Sequence, residues 1–204
     1  YTYATSFGLG KETGCELGKE RHGLIPNTKW KQEKRRQPWY LGETFNTAIG
    51  QGYIAVTPIQ MAIMISAIAN GGNLYRPTII KDAEPTLSGK AKVRSETIEI
   101  IKKSLSGVVN EPWGTGWAAK SQLTNIGGKT GTAQVVAMRE ESKYLPERFR
   151  DHAWFVAFAP VEKPEIAVTV FVEHGGHGGG AAAPIAKKII EEYLKSATHR
   201  QQTD

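Results

Sequence analysis

The chain has 204 residues, 40% of them apolar, and a formal charge of +6 with an isoelectric point near 9.3. That length suits one sizeable domain, and no apolar run approaches the roughly 20 residues of a membrane-spanning helix. The positive charge admits an anionic partner without selecting one, and the single cysteine, Cys15, excludes an internal disulfide and a cysteine-rich zinc site while leaving the redox compartment open. The sequence begins at Tyr1 with neither an initiator methionine nor a basic-then-apolar signal segment, so it reads as a piece of a longer polypeptide.

Residues 1–28 carry Phe7-Gly8-Leu9-Gly10, Thr13-Gly14, Glu16-Leu17-Gly18 and Gly23-Leu24-Ile25-Pro26, a pattern of short turns around a few buried apolar residues. Lys29, Lys31, Lys34, Arg35 and Arg36 then interleave with Trp30 and Trp39. That could be offered as a nucleic-acid patch, but residues 29–44 read as a solvated surface excursion returning to the core at Phe45, and no nucleic-acid partner is expected. After Ala48-Ile49-Gly50-Gln51-Gly52-Tyr53, a helix start is marked at Thr57-Pro58-Ile59-Gln60. Thr57 can cap, Pro58 suits the first helical position, and Gln60 sits where a capping box returns its hydrogen bond. The helix should run to about Asn70, stopped by Gly71-Gly72. It is apolar nearly all round, which predicts burial on most sides, with Met61 and Met64 as core filler.

Residues 73–94 are broken by Pro77, Pro85 and Ser88-Gly89 and predict a short strand or two near Thr78-Ile79-Ile80. From Ser95, Ile98, Ile101, Leu105 and Val108 repeat at helical spacing, with Glu96 and Glu99 near the start and Lys102 and Lys103 further on, which suits both the dipole and side-chain pairing. Trp113-Gly114-Thr115-Gly116-Trp117 reads as an aromatic loop that either lines a site or simply packs. Residues 139–151 predict a surface loop. Strands follow at 152–159 and 166–172, joined by the turn Pro160–Glu165, and the apolar character of both faces of the second implies helices on each side of the sheet. In Glu173–Gly180, His174 and His177 could hold a metal and the glycines a phosphate, but no clear further ligand and no Lys-Ser/Thr completes either. A solvated loop is the reading, with no metal and no cofactor expected. The last helix should begin near Pro184, packing Ile185, Ile189, Ile190, Tyr193 and Leu194 on the sheet. The fold should thus occupy 1–195, and 196–204 should fray.

The stretch that bears chemistry is Gly127-Gly128-Lys129-Thr130-Gly131-Thr132-Ala133-Gln134, running on into Val135-Val136. Lys129 offers a point charge that draws in a carboxylate and shifts the proton affinity of a neighbouring hydroxyl. Thr130 and Thr132 offer donors to the same carboxylate, worth about 1.5–3 kcal/mol each. Gly131 leaves room for a ligand backbone, and with Ala133 and Gln134 on an open edge an extended peptide could add as a further strand. The bland reading is a basic turn entering an ordinary strand.

This stretch, with Ile49-Gly50-Gln51-Gly52 and Thr57-Pro58-Ile59-Gln60-Met61-Ala62, resembles the transpeptidase domain of class B penicillin-binding proteins. The early Phe7-Gly8-Leu9-Gly10 and Thr13-Gly14 pattern, Gly114-Thr115-Gly116 and Trp154–Pro160 resemble it too. Pro38-Trp39-Tyr40 ahead of Gly42-Glu43-Thr44, and Arg150-Asp151-His152-Ala153, look most like the elongation-specific branch of that family. The family carries three signatures, Ser-x-x-Lys, Ser-x-Asn and Lys-Thr-Gly. Only the third is present: no serine at 6, 66, 88, 95, 104, 106, 121, 142 or 196 has Lys three residues on or Asn two on. The chain therefore looks like the C-terminal portion of the domain.

The resemblance implies acyl transfer through a serine acyl-enzyme, on the D-alanyl-D-alanine end of peptidoglycan stem peptides, with β-lactams acylating the same serine. It implies that Lys129 supports proton traffic, that Thr130 and Thr132 take the terminal carboxylate across Gly131, and that the Thr132 N–H is one of two oxyanion donors, the other coming from the absent serine. The implied fold is α/β (α+β), a five-stranded antiparallel sheet between helical layers, here without its first two strands and with an exposed edge. It further implies a missing N-terminal part of the same domain as a partner, a polytopic glycosyltransferase and the elongation machinery alongside, and a parent on the periplasmic face of the inner membrane. A non-catalytic penicillin-recognising sensor is the alternative. No role is assigned to Cys15, His174 or His177.

Overall fold

A computed structural model describes residues 1–135 and 146–201, the last four by backbone alone. They form two compact units, Tyr1–Ala67 with Gly72–Val93, and Ile68–Gly71 with the chain from Arg94 onward.

In the first unit a short helix α1 (Thr2–Ser6) leads into the glycine turns, which bury Phe7, Leu9 and Ile25 as their pattern predicts. Glu20 organises them. Its carboxylate accepts the Thr13 N–H at 2.6 Å, the Gly14 N–H at 3.0 Å and the Thr13 hydroxyl, which together hold it below the usual carboxylate range, the hydroxyl most strongly.

Residues 29–44 lie at the surface as expected, most of them exposed, but they do not return to the core at Phe45, which is 65% exposed. They lie in two helices, α2 (Thr28–Arg35) and α3 (Leu41–Ala48). Asn27 caps α2 by accepting the Trp30 N–H at 2.8 Å, and Arg36 ends it in the left-handed region at φ 55°. Lys31 is 2% exposed, its Nζ 2.5 Å from Glu43 Oε1 and 4.3 Å from the centre of the Tyr40 ring. Glu43 also caps α3, accepting the Tyr40 N–H at 2.8 Å. One lysine of the basic run is therefore turned inward onto a specific carboxylate, a pairing that a count of charges cannot show.

Helix α4 (Pro58–Ala69) matches its sequence signals. The capping box is formed, with Thr57 N–H on Gln60 Oε1 at 3.0 Å and Gln60 N–H on Thr57 Oγ1 at 3.3 Å. Gln60, 1% exposed, also donates its amide to the carbonyls of Lys11 at 2.7 Å and His22 at 2.9 Å, so the start of α4 anchors the turns before it. Ahead of it Gly50 and Gly52 take φ of 82° and 77°, conformations open to glycine at little cost. The expected strand at Thr78–Ile80 is absent. Two short strands, β1 (Asn73–Tyr75) and β2 (Leu87–Lys90), pair antiparallel instead, while Ile79 and Ile80 are exposed and the Ile80 N–H turns back onto Thr78 Oγ1 at 3.1 Å. Pro77 supplies no N–H there, and the local turn leaves the isoleucines unpaired to any strand.

The second unit holds α5 (Ser95–Asn110), a 3-10 turn at Trp117–Ala119, β3 (Gly127–Ala133), β4 (His152–Ala159), β5 (Ile166–Val172) and α6 (Gly178–Gln201). The strands form one antiparallel sheet in the order β3-β4-β5. Ala153, Phe155, Ala157 and Ala159 of β4 share a core with Val168 and Val170 of β5, Val109 of α5, and Ala182, Ala183, Ala186 and Ile190 of α6. Val156 and Phe158 on the alternate face of β4 are also buried.

Two boundaries differ from expectation. β3 ends at Ala133, so Gln134 and Val135 lie beyond the strand and are exposed, and Val136 lies outside the described residues, as does most of the expected 139–151 loop. α6 begins at Gly178, six residues before Pro184, and continues to Gln201 past the expected start of fraying. The alanines after the glycines favour helix, and close packing on the sheet holds the first turn in place of a proline start.

Candidate active-site wall

Lys129-Thr130-Gly131-Thr132 lies in the middle of β3, opposite Val156, Phe155, Trp154 and Ala153 of β4. Among the described residues β4 is the one strand paired to β3, which forms one edge of the sheet they make. The pleat places Thr130 and Thr132 on one face, two residues apart, which lets both hydroxyls approach one group. The Lys129 Nζ donates to the Thr130 carbonyl at 2.9 Å and stands 3.4 Å from Thr130 Oγ1. Lys129 is exposed, and Thr130, Gly131 and Thr132 are half-buried, as a wall open to solvent requires.

The glycines are placed by close approach. A Cβ on Gly127 would meet the Phe158 ring at 2.8 Å, and one on Gly128 would meet the Phe155 ring at 2.7 Å, so the strand enters the site flat against two buried aromatics.

Two other segments complete this wall. Thr115, in the Gly114–Gly116 loop, sets its Oγ1 3.0 Å from Thr130 Oγ1. The loop itself is fixed by the Gly116 N–H on the Val108 carbonyl at 3.0 Å. Trp113 and Trp117 do not pack together as a core: Trp113 is 82% exposed, and Trp117 carries the Lys120 Nζ 4.1 Å from its ring centre. The first turn of α6 backs β3, since a Cβ on Gly178 would fall 2.2 Å from the Trp154 carbonyl oxygen and 2.6 Å from that of Gly131. One on Gly179 would fall 2.5 Å from the Thr115 carbonyl oxygen.

The structure thus groups Lys129, Thr130, Gly131 and Thr132, leaves Ala133 at the strand end and Gln134 beyond it, and adds Thr115, Gly178 and Gly179. The Gly114–Gly116 loop stands out in the sequence, whereas Gly178–Gly180 reads there as part of a solvated loop. The run of six small residues, Gly178 to Ala183, was the available signal that a helix comes close to a strand here. His174 and His177 take part in no metal cluster, since no group of three or more candidate ligands exists among the described residues. Nor is any described helix long and apolar enough to cross a membrane.

The family profile described as penicillin binding protein transpeptidase domain matches residues 1–191. A curated relative, the peptidoglycan D,D-transpeptidase MrdA of Salmonella typhimurium, is 34% identical over all of this chain and 35% of its own length. The chain spans about a third of the length of the curated relatives it matches. Among solved structures, the PBP2 of Helicobacter pylori in complex with MreC is 31% identical with a TM-score of 0.83, covering 94% of this chain and 34% of that one. The PBP2 of Pseudomonas aeruginosa in complex with WCK 5153 is 37% identical with a TM-score of 0.80, covering 94% of this chain and 42% of that one. The mixed helices and antiparallel strands, the Lys-Thr-Gly strand and these matches agree: the chain belongs to the penicillin-binding protein transpeptidase family and is most like its PBP2 and MrdA members.

Proposed function

We propose that this chain is the Lys-Thr-Gly-bearing part of a peptidoglycan D,D-transpeptidase whose attacking serine comes from outside this sequence. The observation that carries the reading is the open edge of β3, where Lys129 and the paired hydroxyls of Thr130 and Thr115 stand over a glycine-backed strand. In the reaction, the serine oxygen attacks the carbonyl of the penultimate D-alanine of a stem peptide, and its proton leaves with the terminal D-alanine amine. The resulting ester is then attacked by an amine from a neighbouring stem, which restores the serine and forms the cross-link.

Thr130 and Thr132 hold the terminal carboxylate, Thr115 orients the Thr130 hydroxyl, and Lys129 supplies positive charge and supports proton movement at the serine. The Thr132 N–H and the serine's own N–H stabilise the oxyanion. The stem peptide lies along the free edge of β3, and β-lactams occupy the same wall. Two further strands and the helices bearing the serine complete a five-stranded sheet between helical layers, as a missing N-terminal part of the domain. The whole protein acts on the periplasmic face of the inner membrane with a polytopic glycosyltransferase and the elongation machinery. The alternative is a penicillin-recognising module without catalysis, the reading that holds if the whole protein also lacks Ser-x-x-Lys.

Labelling with a fluorescent penicillin separates the two. The intact protein should be acylated, and the 204-residue chain by itself should give no labelled band. Lys129→Ala or Thr132→Ala in the intact protein should slow acylation about tenfold or more, the equivalent of one charge-assisted hydrogen bond of roughly 1.5–3 kcal/mol. Unchanged kinetics in both variants would remove this strand from the site.

A further inference from the structure

We propose that His152 is a positioning residue, a proton-sensitive latch that holds the loop after β5 so that Gly178 stays seated against the Lys-Thr-Gly strand. The functional half of this inference rests on the transpeptidase reading above.

His152 opens β4, opposite Ala133 at the end of β3. Its Nδ1 lies 2.9 Å from the backbone nitrogen of His174. A backbone N–H only donates, so Nδ1 of His152 is the acceptor and its ring is neutral, with the proton on Nε2. His174 is in the opposite state. Its Nδ1 is 3.0 Å from the Arg150 carbonyl oxygen, which only accepts, so this nitrogen carries a proton, and the bond survives whether His174 is neutral or charged. A third bond runs from the Gly176 N–H to the Asp151 carbonyl at 2.8 Å. His174 adopts φ 53°, which turns the chain sharply enough to make all three contacts.

Residues 174–176 are therefore stitched to 150–152 by three hydrogen bonds, of which only one depends on an acceptor that can be protonated. Gly178 follows two residues later, in backbone contact with Gly131 and Trp154. The charged and titratable groups around it are Arg150 and Asp151 in the turn before β4 and Glu173, His174 and His177 in the loop, while β5 presents the Phe171 ring at 5.3 Å and β3 pairs the uncharged Ala133. The two imidazole rings are 4.7 Å apart. A proton arriving on His152 Nδ1 turns the acceptor into a donor facing another donor. The bond is lost, the loop keeps two of its three ties, and the loosened segment lets the first turn of α6 shift against the Thr130–Thr132 wall.

The test uses the intact protein carrying nitrogen-15 histidine. Between about pH 8 and about pH 5, the interval in which imidazoles titrate, the His174 amide resonance should move together with the His152 ring. His152→Asn supplies a carbonyl oxygen near the Nδ1 position that takes up no proton, and should hold the His174 amide still across the interval. The rate of acylation by fluorescent penicillin should fall several-fold on acidification in the wild type, stay flat in His152→Asn, and be low throughout in His152→Phe. A His174 amide that ignores the His152 titration, or a His152→Asn variant with the wild-type acid profile, would overturn the latch. A wild-type protein unlabelled at every pH would instead refute the transpeptidase reading, and the amide titration would still decide the latch.

Discussion

Gly178→Ala tests whether the first turn of α6 is placed by steric necessity. By intrinsic propensity the substitution should help, since alanine is favoured over glycine in a helix by about 1 kcal/mol. The backbone of Gly178 is not in the left-handed region, so no conformational strain opposes it. What opposes it is contact. The added carbon would lie 2.2 Å from the Trp154 carbonyl oxygen, 2.6 Å from the Gly131 carbonyl oxygen and 3.0 Å from the Gly131 nitrogen, whereas ordinary contact begins at 3.4 Å.

All three neighbours are backbone atoms of paired strands, which cannot rotate aside, so the helix start must move away by more than an ångström. Overpacking of this kind costs about 1–3 kcal/mol, which outweighs the propensity gain. Gly180→Ala is the control: it lies in the same turn, and an added carbon there meets nothing within 4 Å, so it should be neutral or stabilising by up to about 1 kcal/mol. Urea unfolding of both variants gives the comparison, and acylation of the intact protein reports whether the Lys-Thr-Gly wall moves. Equal stability of the two variants would refute the packing argument.

Thr115→Val should lower acylation of the intact protein several-fold with little change in urea midpoint, because it removes the hydroxyl 3.0 Å from Thr130 Oγ1 while keeping the shape, and Thr115→Ser should restore the rate. Equal rates in Val and wild type would show that Thr130 needs no such partner. The Glu43 carboxyl is held below its ordinary value of 4.5, first by its hydrogen bond with Lys31 and then by the Tyr40 N–H. A depressed carboxylate contributes stability that is full above its ordinary range and is lost as pH falls through the lowered value. Glu43→Gln should therefore be less stable than wild type at neutral pH, and the gap should narrow as the pH falls below that range. A gap that stays constant with pH would mean that the Lys31–Glu43 charge pair contributes nothing to stability.

Much of what was legible in the sequence is chemistry confined to a few neighbouring residues. Thr57, Pro58 and Gln60 announced the start of α4 because a capping box closes within one turn, and Gly71-Gly72 announced its end for the same reason. The short apolar runs on either side of the turn Pro160–Glu165 placed β4 and β5 at the residues where they are found, since a strand covered on both faces reads as a continuous apolar run. The motif Lys129–Thr132 was visible as the chemical stretch because its charge, hydroxyls and glycine are adjacent in the chain.

The sequence by itself thus determined the resemblance to the family, the cap chemistry of α4 and the strands β4 and β5. Only the tertiary structure decided what meets what across the chain: Lys31 turned inward onto Glu43, Gln60 bound to the carbonyls of Lys11 and His22, Thr115 against Thr130, Gly178 against Gly131, and His152 under His174. The physical reason is that side-chain type and local spacing encode which groups can pair, whereas the choice among possible partners is made by packing and sheet register. They bring Lys11 to Gln60, 49 positions apart in the chain, and Ser121 to Glu191, 70 apart.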